Sequence, residues 1–245
     1  MFDWLVTLLN QLTYWLSQVF PFIDYEFMVN RVYPVLNRGL NMTLKLLLPS
    51  ITIGTTLGIA LGVVRVFGTR GVRLLANGLV GLIRGVPLTV QLMILYFGLP
   101  YVGILFDPYP AAVLGFILCT GAYQSEYVRG ALLGIRQGQI KAAEALGMSK
   151  LKTIISVVIP QAVRRALPGC GNEIIYLIKY SSLAYVVTCV ELTGEAKTLF
   201  SRTFRPVEVY TTAACYYLFM VSIATMILHR LEKRFAIPGF DKPLN

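Results

Sequence analysis

Apolar positions along this chain gather into long runs, and charged positions gather between them. A bilayer span takes about 20 mostly apolar residues. Measured against that length, the runs predict five spans. They are Leu40 to Phe67, a second between Leu74 and Val102, Ala111 to Leu133, Leu167 to Val190 and Val209 to Leu228. Lys45, Pro49 and small residues interrupt the first. Arg84, Gly85 and Pro87 mark either a kink in the second or its true entry into the bilayer. Ahead of these runs, Asp3, Thr7, Asn10, Thr13 or Tyr14, and Ser17 recur at helical spacing between Trp4, Leu5, Leu8, Leu9, Leu12, Trp15 and Leu16. That pattern predicts an amphipathic helix on a membrane surface or against a partner, with an additional span as the alternative. The segment has no basic start of the kind a secretory signal carries. The chain thus divides into a peripheral segment 1–38, a membrane domain 39–234 and a tail 235–245.

Composition strengthens the membrane reading. Hydrophobic residues make up 56% and charged residues 14%, against roughly 25% charged in soluble domains. A water-soluble fold this apolar would expose aggregating patches. In lipid every backbone polar group must be satisfied internally, so the expected fold class is an all-α membrane protein with about five core helices. The formal charge is +10, but the basic residues flank apolar runs and form no stripe suited to nucleic acid.

Basic residues orient the chain instead. With the end of the first span inside, fourteen Lys and Arg fall in inner segments, five in outer segments and three within spans, which accounts for all 22. This predicts a cytoplasmic C-terminus and a cytoplasmic segment 134–166. Cys119, Cys170, Cys189 and Cys215 lie in or beside apolar runs without metal-ligand spacing, and the single His229 sits among basic residues. No Ser-His-Asp set or metal cluster is available, so no catalytic residue, metal or cofactor is expected in this chain.

Segment 134–166 carries the most information. Gln139 to Leu146 is a run of good helix formers including Ala142, Ala143, Glu144 and Ala145. Gly147 is placed to end it in a left-handed conformation. Ser149 can cap a following helix from Lys150, which Pro160 then interrupts. The product is a short surface helix with small side chains, able to sit deep in another protein's groove or to serve as an ordinary connector.

Lys141-Ala142-Ala143, then Gly147, then Val157, Ile159 and Pro160 resemble the "EAA" loop of binding-protein-dependent ABC importer permeases. Lys141 stands where that family has Glu, and Val157 and Ile159 replace Ile and Leu. GLNMTLKL at 39–46, RGVPLTVQL at 84–92, GAYQSEYVRGAL at 121–132, GQIKAAEALGMS at 138–149 and RRALPGCGNEIIYLIKYSSL at 164–183 resemble, in order, motifs of the polar amino-acid branch. The resemblance implies a type I importer permease fold in a bacterial cytoplasmic membrane, and a second permease subunit, identical or sister. It also implies a separate ATPase dimer holding ATP and Mg, an external amino-acid-binding protein, and a coupling helix comprising Gln139, Lys141, Ala142, Ala143, Glu144, Gly147 and Pro160. No GxxxxGK[ST] phosphate loop occurs in the chain, in keeping with a separate motor. The alternative is an ATP-independent channel or carrier for a small polar solute.

Ionisable groups at membrane depth are costly and are functional candidates by default. Glu126 can receive a solute amine or pair with Arg129 or a basic group on another helix. Lys179, Tyr180, Ser181 and Ser182 interrupt the fourth run, either as a broken helix lining a solute path or as a bent helix with Lys179 paired to Glu126 or Glu173. Tyr180 stands where the family's KDTSL has Asp. Gln91 is a neutral hydrogen-bonding candidate for the same path.

Overall fold

The computed structural model describes residues 24–235 apart from Arg136, together with positions 7, 8, 10, 11, 14, 15 and 18. Most of the predicted amphipathic segment and the tail from 236 lie outside the described residues. Every regular element among the described residues is helical, and no strand occurs among them.

Helix α1 runs unbroken over Tyr25–Phe67, far upstream of the run that begins at Leu40. Its first turns are amphipathic and bury Val32, Tyr33, Leu36 and Leu40 on one face. Arg31 and Arg38 dilute their hydropathy without breaking the helix. Helix α2 (Arg70–Gly85) and helix α3 (Leu88–Val102) meet at an angle of 100°. Val86 and Pro87 are extended there, as expected of a residue before proline and of the proline itself. Helix α4 spans Pro108–Leu133, and the short helix α5 spans Gln137–Ala145. Helix α6 (Lys150–Val187) and helix α7 (Leu192–Thr203) meet at 55°, and helix α8 (Pro206–Phe235) ends the described chain.

By length and composition, α1 and α8 can each cross a membrane alone, and each bent pair can serve as one further span. The 26-residue α4 is long enough to span at about 1.5 Å per residue, but it is the most enclosed helix. It packs against both α1 and α6. The α1–α4 contact is close because Gly54, Gly58 and Gly62 face Thr120, Gln124 and Val128. A Cβ at Gly58 would lie 2.6 Å from Gln124 Cβ. Small residues four apart let helix backbones approach in this way.

Three turns widen to π geometry, at Met28–Val32, Ile94–Gly98 and Ile154–Val158. Each precedes a proline by two residues: Pro34, Pro100 and Pro160. A proline inside a helix lacks an N–H, and its ring collides with the carbonyl four residues earlier. A wider preceding turn relieves both problems. Pro160 therefore loosens α6 without interrupting it, contrary to the break expected from the sequence.

Candidate functional site: a coupling helix, an arginine node and a polar helix break

Helix α5 ends as its sequence predicts. Gly147 has φ +78°. The N–H of Met148 donates to the Ala143 carbonyl at 3.1 Å and that of Gly147 to Glu144 at 2.9 Å, the paired bonds of a Schellman turn. Ser149 caps the next helix by accepting from the Lys152 N–H at 3.4 Å. Gln139, Lys141, Ala142, Glu144, Ala145 and Leu146 are exposed, with Leu146 at 83%. Ala143 is buried in its own chain, and Ile140 packs on the cluster that includes Leu132, Ile135 and Val158. The helix therefore offers one face to solvent and fastens the other to the bundle.

Glu126 is held by three arginines. Arg65 Nη2 lies 2.8 Å and Arg84 Nη1 3.0 Å from Oε2, while Arg129 Nε donates to Oε1 at 3.0 Å. Arg65, on α1, is buried. It also donates to Asn77 Oδ1 at 2.7 Å and Ser125 Oγ at 2.9 Å. Arg84 further lies over the Tyr123 ring. The group joins α1, α2 and α4 and carries a formal excess of two positive charges.

The α6 break is a tightening. The α-helical part ends at Tyr180, and a 3₁₀ turn continues from Ser181 to Val187. Ser181 is buried and donates to the Ile178 carbonyl at 2.8 Å, and Ser182 donates to Lys179 at 2.9 Å. Lys179 does not meet Glu126 or Glu173. Its ammonium lies 4.4 Å from the centre of the Tyr176 ring. Glu173 is buried and accepts from the Tyr180 hydroxyl at 2.7 Å, which also lies 3.2 Å from Thr120 Oγ1. Among the described residues no basic side chain pairs with Glu173.

Gln91 Nε2 donates to the carbonyls of Ile83 at 2.7 Å and Val86 at 2.8 Å. Its amide thus satisfies backbone groups left open where α2 ends. The structure also brings in Arg65, Arg84 and Asn77, none of which the sequence reading placed in a site, while Glu173, expected as a partner of Lys179, accepts from Tyr180 instead. Glu191 is a further buried carboxylate. It accepts from the N–H groups of Thr193 and Gly194 and from the Tyr217 hydroxyl, and so caps α7.

These features define an all-helical membrane subunit with an exposed short helix beside its bundle. The chain belongs to the family described as binding-protein-dependent transport system inner membrane component, whose model matches residues 54–237. It is therefore a multi-pass membrane transport subunit and not itself an enzyme. It is 37% identical over 206 residues to the glutamine transport system permease protein GlnP of Escherichia coli (strain K12), covering 83% of this chain and 94% of that protein. It is 38% identical over 210 residues to the nopaline transport system permease protein NocM of Agrobacterium fabrum (strain C58 / ATCC 33970), covering 82% and 87%. A solved amino acid ABC transporter with histidines superposes with a TM-score of 0.81 at 33% identity, covering 86% of this chain and 99% of that one. The MetNI methionine ABC transporter, at 20% identity and TM-score 0.70, shares the fold.

Proposed function

We propose that the chain is the transmembrane subunit of an ATP-driven importer that passes a polar amino acid from an external binding protein to the cytoplasm by alternating access. The observation that carries this reading is α5, fixed at one end by the Gly147 turn and presenting Ala142, Ala145 and Leu146 outward. Small side chains suit insertion into a groove of an ATPase subunit, two of which would serve a pair of permease subunits. Relatives named for glutamine, nopaline, octopine and L-cystine transport support an amino acid as cargo. On this reading the C-terminus is cytoplasmic, residues 39–234 form the permease domain, and ATP and Mg are bound by the partner ATPase.

For the path, the arginine node revises the role of Glu126. Its oxygens are already occupied by arginines, so the node suits the carboxylate of an amino acid better than the amine. Arg84 and Arg129 are the partly exposed donors. Lys179, Tyr180, Ser181 and Ser182 line or shape the far wall, with Gln91 holding the elbow that frames it.

Reconstitution with the cognate ATPase and binding protein tests this reading. Amino-acid-stimulated ATP hydrolysis and uptake are expected in the intact complex. Uptake that proceeds without the ATPase would overturn it in favour of a carrier.

A further inference from the structure

Arg70, Arg73, Asn77 and Arg84 follow one another at helical spacing along one edge of α2. The two nearer the elbow are occupied: Arg84 meets Glu126, and Asn77 accepts from Arg65. Arg70 and Arg73, at the other end, are exposed. Neither forms an ion pair among the described residues. The sequence offers them no carboxylate. Between Glu26 and Asp107 it contains no acidic residue. Glu126, which reaches α2 from α4, is already shared by three arginines. Added to the excess of two at that node, Arg70 and Arg73 make four uncompensated positive charges on and around α2.

The two open arginines are three apart and so are neighbours on the helix surface. Both guanidiniums can donate to one phosphate, a charge-assisted contact that arginine makes well. The next residues are of the opposite character. Leu74 is 72% and Leu75 76% exposed, and Leu79 and Leu82 continue the exposed apolar surface along α2. The other side of the helix is the one that packs, through Val80 and Ile83 on Ala122. Within two turns, then, α2 presents a site for an anion and an uncovered apolar surface. A free phosphate would leave the leucines bare. An acidic protein surface in water would not reach past the headgroups to cover them. A phospholipid with an anionic head matches both, and basic residues beside a span attract such lipids.

We propose that Arg70 and Arg73 bind the headgroup of one anionic phospholipid, whose acyl chains lie on the leucine surface beyond them. The lipid ties the start of α2 to the headgroup layer. Through the elbow held by Gln91 it also sets the depth of α3. Only the assignment to the inner leaflet rests on the transport reading above.

Native mass spectrometry of the purified chain, offered equal amounts of phosphatidylglycerol and phosphatidylcholine with the same acyl chains, tests the site. One phosphatidylglycerol per chain should be retained, with a preference of about tenfold or more, since each basic residue adds to the attraction. Arg70→Gln combined with Arg73→Gln should abolish the preference and leave melting unchanged. Leu74→Ser combined with Leu75→Ser should weaken retention, and inorganic phosphate should not displace the lipid. Arg164→Gln, which removes an exposed arginine of α6 instead, should leave retention unchanged. Equal retention of the two lipids, or undiminished phosphatidylglycerol on the double arginine variant, overturns the proposal. So does an equal loss in Arg164→Gln, which would mean attraction to net charge alone. Displacement by inorganic phosphate would give the arginines to a free anion, and loss of the lipid when the ATPase is bound would give them to that subunit; either result also overturns the proposal. Failure here leaves the importer reading standing, because that reading is tested by uptake.

Discussion

The Arg65 guanidinium and the Glu126 carboxylate meet 2.8 Å apart where α1 packs on α4, although 61 positions separate them in the sequence. Two further arginines share the same carboxylate, so Glu126 is the only negative charge in a cluster of three positive ones.

Glu126→Gln should therefore destabilise the protein. Removing one partner of a buried pair costs about 3–5 kcal/mol, and the partial exposure of Glu126 puts the expected loss at about 3 kcal/mol. Adding Arg65→Met should recover much of it, whereas adding Lys179→Met should recover none. Thermal unfolding in detergent reads all three variants. Rescue by Lys179→Met would contradict the geometry.

Gly58 and Gly78 offer a matched contrast. A Cβ at Gly58 meets Gln124 Cβ at 2.6 Å, while one at Gly78 meets nothing within 4 Å. Gly58→Ala should cost about 1–3 kcal/mol through overpacking. Gly78→Ala should be neutral or stabilising by up to about 1 kcal/mol, as for an exposed helical glycine. Equal melting temperatures for the two variants would show that the α1–α4 crossing has room for a methyl group at Gly58.

The outward and inward alanines of α5 should separate in the same way. Ala142→Asp should leave melting unchanged and reduce uptake by more than tenfold, with ATP hydrolysis no longer answering to solute. Ala143→Asp places a carboxylate in a buried position and should lower stability first. Gly147→Val forces a β-branched residue to positive φ at about 1–2 kcal/mol and should displace the helix end. Pairing uptake with melting for each variant checks the assignment. Unimpaired coupling in Ala142→Asp would make α5 a mere connector.

At the opposite end of α1, Asp24 accepts from the Phe27 N–H at 3.0 Å and pairs with Arg205 at 2.9 Å. Both hold its carboxyl below the usual carboxylate range. A depressed folded value contributes stability that is full above the unfolded pKa of about 3.9 and is lost as pH falls through the folded value. Amide exchange at Phe27 should accelerate as pH is lowered through this range, after correction for intrinsic rates. Asp24→Asn should abolish that pH dependence. A profile unchanged by the substitution would remove Asp24 from the account.

The sequence discloses features whose causes are local. Gly147 and Ser149 announce a turn and a cap because both effects act within a few residues. Pro87 after Gly85 likewise marks a discontinuity between α2 and α3. Run hydropathy places the apolar middles of the helices, but it misses the start of α1, where Arg31 and Arg38 occupy one face while Val32 and Leu36 are buried on the other. The Glu126 node is legible in part: Arg129, three residues on, pairs with it as expected, whereas the identities of Arg65 and Arg84 are not legible because they come from other helices. The expected Lys179 pairing fails for a different reason: a local partner, the Tyr176 ring three residues earlier on the same helix, takes the ammonium instead. One further signal lies in the glycine spacing of α1. Gly54, Gly58 and Gly62, four residues apart, mark the face of α1 that approaches α4.

The two bonds from the Gln91 amide give the α2–α3 elbow a mechanical character. A bend with open carbonyls would flex as water exchanged among them, but here one side chain spans the corner and holds both. The pair behaves as a bracket of fixed angle. A push on the Arg70 end of α2 would then turn the two helices together. Any stroke through this arm is geared by the two arm lengths, 16 and 15 residues, so its ends travel nearly equal distances in directions set by the angle between them.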